Sequence, residues 1–93
     1  MLEADENKEY LPIQGLSSFN AATTELLLGK DNAAIAQGRV ATIQSLSGTG
    51  SLRVGAAFIQ RFLPETTVYL SDPTWGNHKS IFADAGVPTK MYR

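Results

Sequence analysis

The sequence has no cysteine and only one tryptophan and one histidine among its 93 residues. Without thiols there is no disulfide framework, no thiol nucleophile and no thiolate metal site, which excludes a secreted disulfide scaffold and fits a reducing, intracellular compartment. Charge is sparse and balanced: eight Lys and Arg against nine Asp and Glu leave a net charge of −1, with no basic run or stripe. A nucleic-acid backbone is therefore not an expected partner. Apolar runs such as Leu26–Leu28 and Val54–Ile59 fall far short of the roughly 20 residues that cross a bilayer, so no membrane span is expected. The acidic opening stretch, Met1–Glu9, has neither an apolar secretory core nor an Arg-rich transit face. A lone His with no carboxylate cluster at ligand spacing gives no metal site.

What is present is 43% hydrophobic and 18% charged residues, the balance of one small globular unit or of a piece of a larger one. A lone domain this short buries only about 60–65% of its unfolded surface, so its stability is marginal.

The periodicity alternates. Phe19, Ala22, Thr23, Leu26 and Leu27 form one helical stripe, with Ser17 or Ser18 as N-cap and Gly29 beyond the end. Asp31 is placed to cap a short helical turn over Ala33–Gln37, which Gly38 stops. Arg39–Ser45 and Thr67–Leu70 are β-branched and nearly uncharged, the length of buried strands. Between them Thr49–Leu63 is amphipathic, with Leu52, Ala56, Ile59 and Leu63 on one face, and Pro64 ends it. Strand, helix, strand makes a right-handed βαβ unit. Thr74 then caps a helix over Trp75–Ala85, Gly86 ends it, and Thr89–Arg93 reads as a last strand. The expected class is α/β, a mostly parallel sheet flanked by helices. Three strands do not complete such a sheet, so residues 1–93 read as part of a larger domain rather than a whole one.

Two loops carry candidate chemistry. Ser47-Gly48-Thr49-Gly50 stands between a strand and a helix, where small residues let backbone N–H groups converge on an anion, hydroxyls add donors and the helix dipole adds positive potential. No lysine follows the last glycine and Arg53 stands where a dinucleotide fingerprint needs glycine, so both nucleotide motifs fail. A glycine-rich turn equally serves strand-to-helix geometry alone. Pro73-Thr74-Trp75-Gly76-Asn77-His78 follows the next strand, at the carboxyl ends where open α/β sheets collect ligands. Trp75 offers a π face and one N–H donor, or else packs into the core. His78, three residues on, shares its helix face and can hold a carboxylate, or is a structural histidine.

Glu9-Tyr10-Leu11-Pro12-Ile13 with Gly15-Leu16, Arg39-Val40 leading to Gln44-Ser45-Leu46-Ser47-Gly48-Thr49-Gly50-Ser51-Leu52-Arg53, and Pro73-Thr74-Trp75-Gly76-Asn77-His78 resemble, in order and spacing, the aspartate aminotransferase family. The resemblance runs nearly end to end. It implies a segment of the large domain of the type I pyridoxal-phosphate transferase fold, from a homodimer with shared active sites that moves an amino group from L-aspartate to 2-oxoglutarate, giving oxaloacetate and L-glutamate. Carried over by residue, Ser47, Gly48 and Thr49 hold the phosphate of pyridoxal 5′-phosphate. Trp75 stacks on the pyridine ring and donates its N–H toward a substrate carboxylate. His78 orients the aspartate paired with the pyridine nitrogen, and Tyr10 reaches the phosphate of the partner subunit's cofactor. The family's Schiff-base lysine is not matched by Lys8, Lys30, Lys79 or Lys90. No catalytic residue is therefore assigned in this chain, and the isolated segment is expected to be inactive and poorly folded. Two other readings stand beside this one: a relative acting on aromatic amino acids, and a truncated, noncatalytic module that dimerises or binds an anion. The family has cytosolic and organellar forms, and the wording here resembles the plastid type.

Overall fold

The computed structural model describes residues 7–93, so most of the acidic opening stretch, residues 1–6, lies outside the described residues. The chain forms two compact units that divide between Gln44 and Ser45.

In the first unit, α1 spans Ser17–Leu28 and α2 spans Ala33–Ala36. The helix over 17–28 forms as expected, but Leu16 holds the N-cap position and no side chain caps it. Its apolar stripe is not a core stripe: Leu26 and Leu27 are 89% and 80% exposed, and the buried residue of α1 is Asn20. The cap of α2 is Asn32, one residue later than the expected Asp31, because Asn32 Oδ1 is the acceptor that reaches the Ala34 N–H at 2.8 Å. Arg39–Ser45, expected as a strand, is not one. A strand exists only through a ladder, and among the described residues the sole backbone bond this segment donates after Arg39 is from Gln44 to the Gln14 carbonyl, at 2.9 Å. The buried amide of Asn20 ties it down instead, donating through Nδ2 to the carbonyls of Gln14 (2.8 Å) and Thr42 (3.2 Å).

The second unit runs α3 (Ser47–Phe62), β1 (Val68–Ser71), α4 (Asn77–Asp84) and β2 (Thr89–Tyr92). The two strands pair in parallel, Val68 opposite Thr89 through Ser71 opposite Tyr92. The βαβ unit is therefore β1–α4–β2, one element later than the pattern placed it, since the segment before α3 lacks a ladder. Its core is small: Ala56 of α3, Leu70 of β1, Phe82 of α4 and Val87, with Leu52, Ile59, Val68 and Ala85 packed around them. The expected face of α3 supplies this contact through Leu52, Ala56 and Ile59, while Leu63 stays half exposed.

Gly86 turns the chain from α4 toward β2 at φ +77°, a conformation that strains any residue with a Cβ. Its N–H reaches the Ala83 carbonyl at 3.0 Å and the Val87 N–H reaches Phe82 at 2.9 Å. This paired closure satisfies two orphan helix carbonyls and drops Val87 onto Phe82, both in the core.

One core cluster joins α3, α4 and β1, so both helices lie on the same face of the sheet. Only Leu63–Thr67 separates α3 from β1, which puts the carboxyl end of α3 at the start of the strand. A 16-residue helix is about 24 Å long and a four-residue strand about 13 Å. The later parts of the two helices lie together, since a Cβ on Gly86, just past α4, would stand 3.8 Å from Gln60 of α3.

Candidate functional site

At the amino end of α3 the first helical N–H with a partner is that of Gly50, which reaches the Leu46 carbonyl at 2.9 Å. The N–H groups of Ser47, Gly48 and Thr49 make no hydrogen bond with the described residues, and no side chain caps the helix. The hydroxyls of Ser47 and Thr49 also make none, and no acidic residue stands in the first turn. Unspent donors at the positive end of a helix dipole form the arrangement that holds an anion.

Ser47 has φ +56°, in the left-handed region where an L side chain costs about 1–2 kcal/mol. Two neighbours support it: the Ser51 hydroxyl donates to the Ser47 carbonyl at 2.7 Å and pairs with the Ser45 hydroxyl at 2.6 Å. The glycines divide by task. A Cβ at Gly50 would stand 2.9 Å from the Leu46 side chain, whereas at Gly48 it would meet nothing within 4 Å. Packing thus accounts for Gly50, while at Gly48 no neighbour requires the absence of a Cβ.

The second turn follows β1. The Asp72–Pro73 peptide is cis, and α4 begins at Asn77, later than the expected Trp75. Thr74 does not cap the helix through a backbone N–H. Its hydroxyl lies 2.6 Å from Nδ1 of His78, both side chains half-buried. With Thr74 donating, Nδ1 accepts and the ring proton resides on Nε2, free to meet a carboxylate. The Trp75 ring stands edge-on to the His78 ring, centroids 5.4 Å apart and planes at 84°. Trp75 is 50% exposed in this chain, so its indole is not buried in the core of this unit.

The second unit holds Ser47, Gly48 and Thr49 on the turn that opens α3, and Trp75 and His78 on the turn between β1 and α4 and the start of that helix. No hydrogen bond joins the two turns among the described residues. Tyr10 belongs to the first unit, wholly exposed on the arm before the Gly15 turn. A cleft of about 310 Å³ in the first unit, lined by Gln14, Asn20, Thr24, Glu25 and Thr42 among others, contains none of the six. Sequence reading had overlooked Ser45, Ser51 and the bond from Thr74 to His78. Ser51 was detectable, standing one helical turn after Ser47. Among the described residues no group of His, Asp and Glu is placed to hold a metal ion, and no helix is long and apolar enough to cross a membrane.

The profile of the family described as aminotransferase class I and II matches residues 1–93, the whole chain. An aspartate aminotransferase of Lupinus angustifolius named mitochondrial is 66% identical over 93 residues, all of this chain and 20% of that protein. A chloroplastic aspartate aminotransferase of Arabidopsis thaliana is 61% identical over the same length, again 20% of that protein. Among solved structures, the aspartate aminotransferase from Saccharomyces cerevisiae cytoplasm superposes with a TM-score of 0.86 at 41% identity, over 98% of this chain and 23% of that one. An aromatic-amino-acid aminotransferase from Burkholderia pseudomallei, covalently bound to pyridoxal phosphate, superposes at 0.86 and 44% identity over the same shares. The chain spans about a fifth of the length of these relatives. Whole-chain similarity in sequence and in backbone leads to one conclusion: this chain belongs to the class I and II aminotransferases and is a segment of their α/β fold.

Proposed function

We propose that the complete protein carrying this chain is an aspartate aminotransferase, and that residues 1–93 are part of its large, cofactor-binding domain. The observation that carries the reading is the amino end of α3, where three backbone amides and two hydroxyls have no hydrogen-bond partner among the described residues and a Cβ at Gly48 would meet nothing within 4 Å. That donor set fits the phosphate of pyridoxal 5′-phosphate, a dianion that rewards charge-assisted donors. The cofactor, when bound, supplies the electron sink that lets an amino group leave one carbon skeleton and join another.

The chain's own contributions are binding and orientation. Ser47, Gly48 and Thr49 hold the phosphate through N–H and hydroxyl donors. The half-exposed indole of Trp75 stacks on the pyridine ring and turns its N–H to a substrate carboxylate. His78, its Nδ1 engaged by Thr74, presents Nε2 to the aspartate that pairs with the pyridine nitrogen. Tyr10 reaches the phosphate of the partner subunit's cofactor, so its role exists only in the homodimer. The relatives' names support L-aspartate as the amino donor, and the family resemblance adds 2-oxoglutarate as acceptor, with oxaloacetate and L-glutamate as products.

A second reading, an aromatic-amino-acid aminotransferase, has support in the Burkholderia structure, which matches as well in backbone as the yeast one does. Turnover of aspartate and of phenylalanine by the complete protein separates them. Faster turnover of aspartate is expected, and faster turnover of phenylalanine overturns the first reading. Loss of one charge-assisted donor costs about 1.5–3 kcal/mol, so Ser47→Ala with Thr49→Ala raises the pyridoxal phosphate Kd at least about 10-fold. Unchanged affinity would make the turn purely structural. The lupin and Arabidopsis names support an organellar home, and we favour the plastid. A fluorescent fusion of the full-length protein that stays out of plastids overturns that placement.

A further inference from the structure

Tyr10 lies on an arm with almost no contacts of its own: Tyr10 and Ile13 are fully exposed and Leu11 is half exposed. A tyrosine that must meet a fixed phosphate needs the foot of such an arm to be rigid, and the structure shows what holds it. Gly15 closes a turn onto the Pro12 carbonyl at 2.9 Å, with φ +93°. Gln44, 29 positions away in sequence from Gly15, grips this corner at two points. Its backbone N–H donates to the Gln14 carbonyl at 2.9 Å, and its Oε1 accepts from the Leu16 N–H at 3.1 Å. Gly15 is buried against it so closely that a Cβ there would strike the Gln44 side chain. Asn20 Nδ2 adds a third bond at this corner, donating to the Gln14 carbonyl at 2.8 Å.

We propose that Gln44 is a positioning residue for Tyr10: its side-chain oxygen, clamped on the Leu16 N–H, fixes the corner from which the Tyr10 arm reaches the cofactor phosphate. The proposal rests on the reading of Tyr10 given above and deepens it. A merely structural glutamine and a positioning one differ in a measurable way, because positioning acts only through Tyr10.

The experiment uses the complete enzyme, stripped of cofactor and titrated with pyridoxal phosphate, comparing Gln44→Met, Gln44→Glu, Tyr10→Phe and the double variant Tyr10→Phe, Gln44→Met. Methionine keeps the volume and removes the acceptor, whereas glutamate keeps the acceptor. Tyr10→Phe removes one charge-assisted bond and is expected to raise the Kd about 10-fold. Gln44→Met is expected to raise it by about half as many fold, Gln44→Glu to stay within about twofold of wild type, and the double variant to match Tyr10→Phe alone, a full coupling in the cycle. Additive losses, or an effect of Tyr10→Phe with none of Gln44→Met, overturn the positioning role. If Tyr10→Phe leaves the Kd unchanged while the Ser47 and Thr49 substitutions raise it, the reading of Tyr10 fails and takes this proposal with it, leaving the cradle intact. Should Gln44→Met fail to fold, hydrogen exchange on the wild-type apoenzyme decides: a protected Leu16 amide is expected, and exchange at the rate of an open loop overturns the clamp.

Discussion

The hydroxyl of Thr74 lies 2.6 Å from Nδ1 of His78, one helical turn ahead of it and outside α4 itself. The bond uses the side chain that the sequence offered as a helix cap, and it commits the histidine to one orientation with its other nitrogen free.

Removing that bond tests whether orientation matters. In the complete enzyme Thr74→Val keeps the shape and leaves Nδ1 unpartnered, a loss of about 1–1.5 kcal/mol, so kcat/KM is expected to fall about 10-fold. Thr74→Ser restores the hydroxyl and most of the rate. Equal kinetics for valine and threonine would reduce the contact to packing.

Ser47 separates stability from binding. Its φ of +56° is free for glycine, so Ser47→Gly is expected to stabilise the apoprotein by up to about 1 kcal/mol in thermal unfolding. The same change deletes a hydroxyl donor and is expected to raise the pyridoxal phosphate Kd about 10-fold. A variant both less stable and equally tight would show that the serine is there for the fold.

Gly86 is a position where only the backbone objects. A Cβ there would sit 3.8 Å from Gln60, ordinary contact, yet φ is +77°. Gly86→Ala is therefore expected to cost about 1–2 kcal/mol, read as a lowered denaturation midpoint with an unchanged slope. No loss would mean that the turn after α4 relaxes at no cost.

The 93-residue chain on its own is expected to melt without a cooperative transition and to show no transaminase turnover. Among the described residues four buried apolar side chains form its core, while Phe19, Leu26, Leu27, Phe58 and Phe62 are exposed. Such surface invites association rather than a unique fold. A sharp calorimetric peak at the expected enthalpy for this length would contradict that expectation.

Local pattern carried much of the fold. The 3.6-residue spacing of Leu52, Ala56 and Ile59 and the stop at Pro64 place α3, and Gly86 places the end of α4, because these signals act within a turn or two of chain. Ladder formation does not. Arg39–Ser45 has strand composition and no strand, since a ladder depends on what lies alongside. The stripe on α1 has core periodicity and is exposed for the same reason, while Asn20, which no hydrophobic pattern would select, is buried where its amide joins the carbonyls of Gln14 and the distant Thr42.

The candidate site divides along the same line. The residue types at Ser47–Gly50 and Pro73–His78, with their spacing, were enough to point to the family and to propose an anion cradle at Ser47–Thr49, because donors and small residues are local chemistry. Only the tertiary structure decided that α3 and α4 share a sheet face, that Gly48 stands open while Gly50 is packed, that Thr74 serves His78 rather than the helix, and that Gln44 braces the foot of the Tyr10 arm. The shared sheet face and the Gln44 brace depend on segments distant in sequence arriving at van der Waals or hydrogen-bonding distance, which packing sets, while the Gly50 and Thr74 contacts reach only four residues and turn on backbone geometry that residue types alone do not fix.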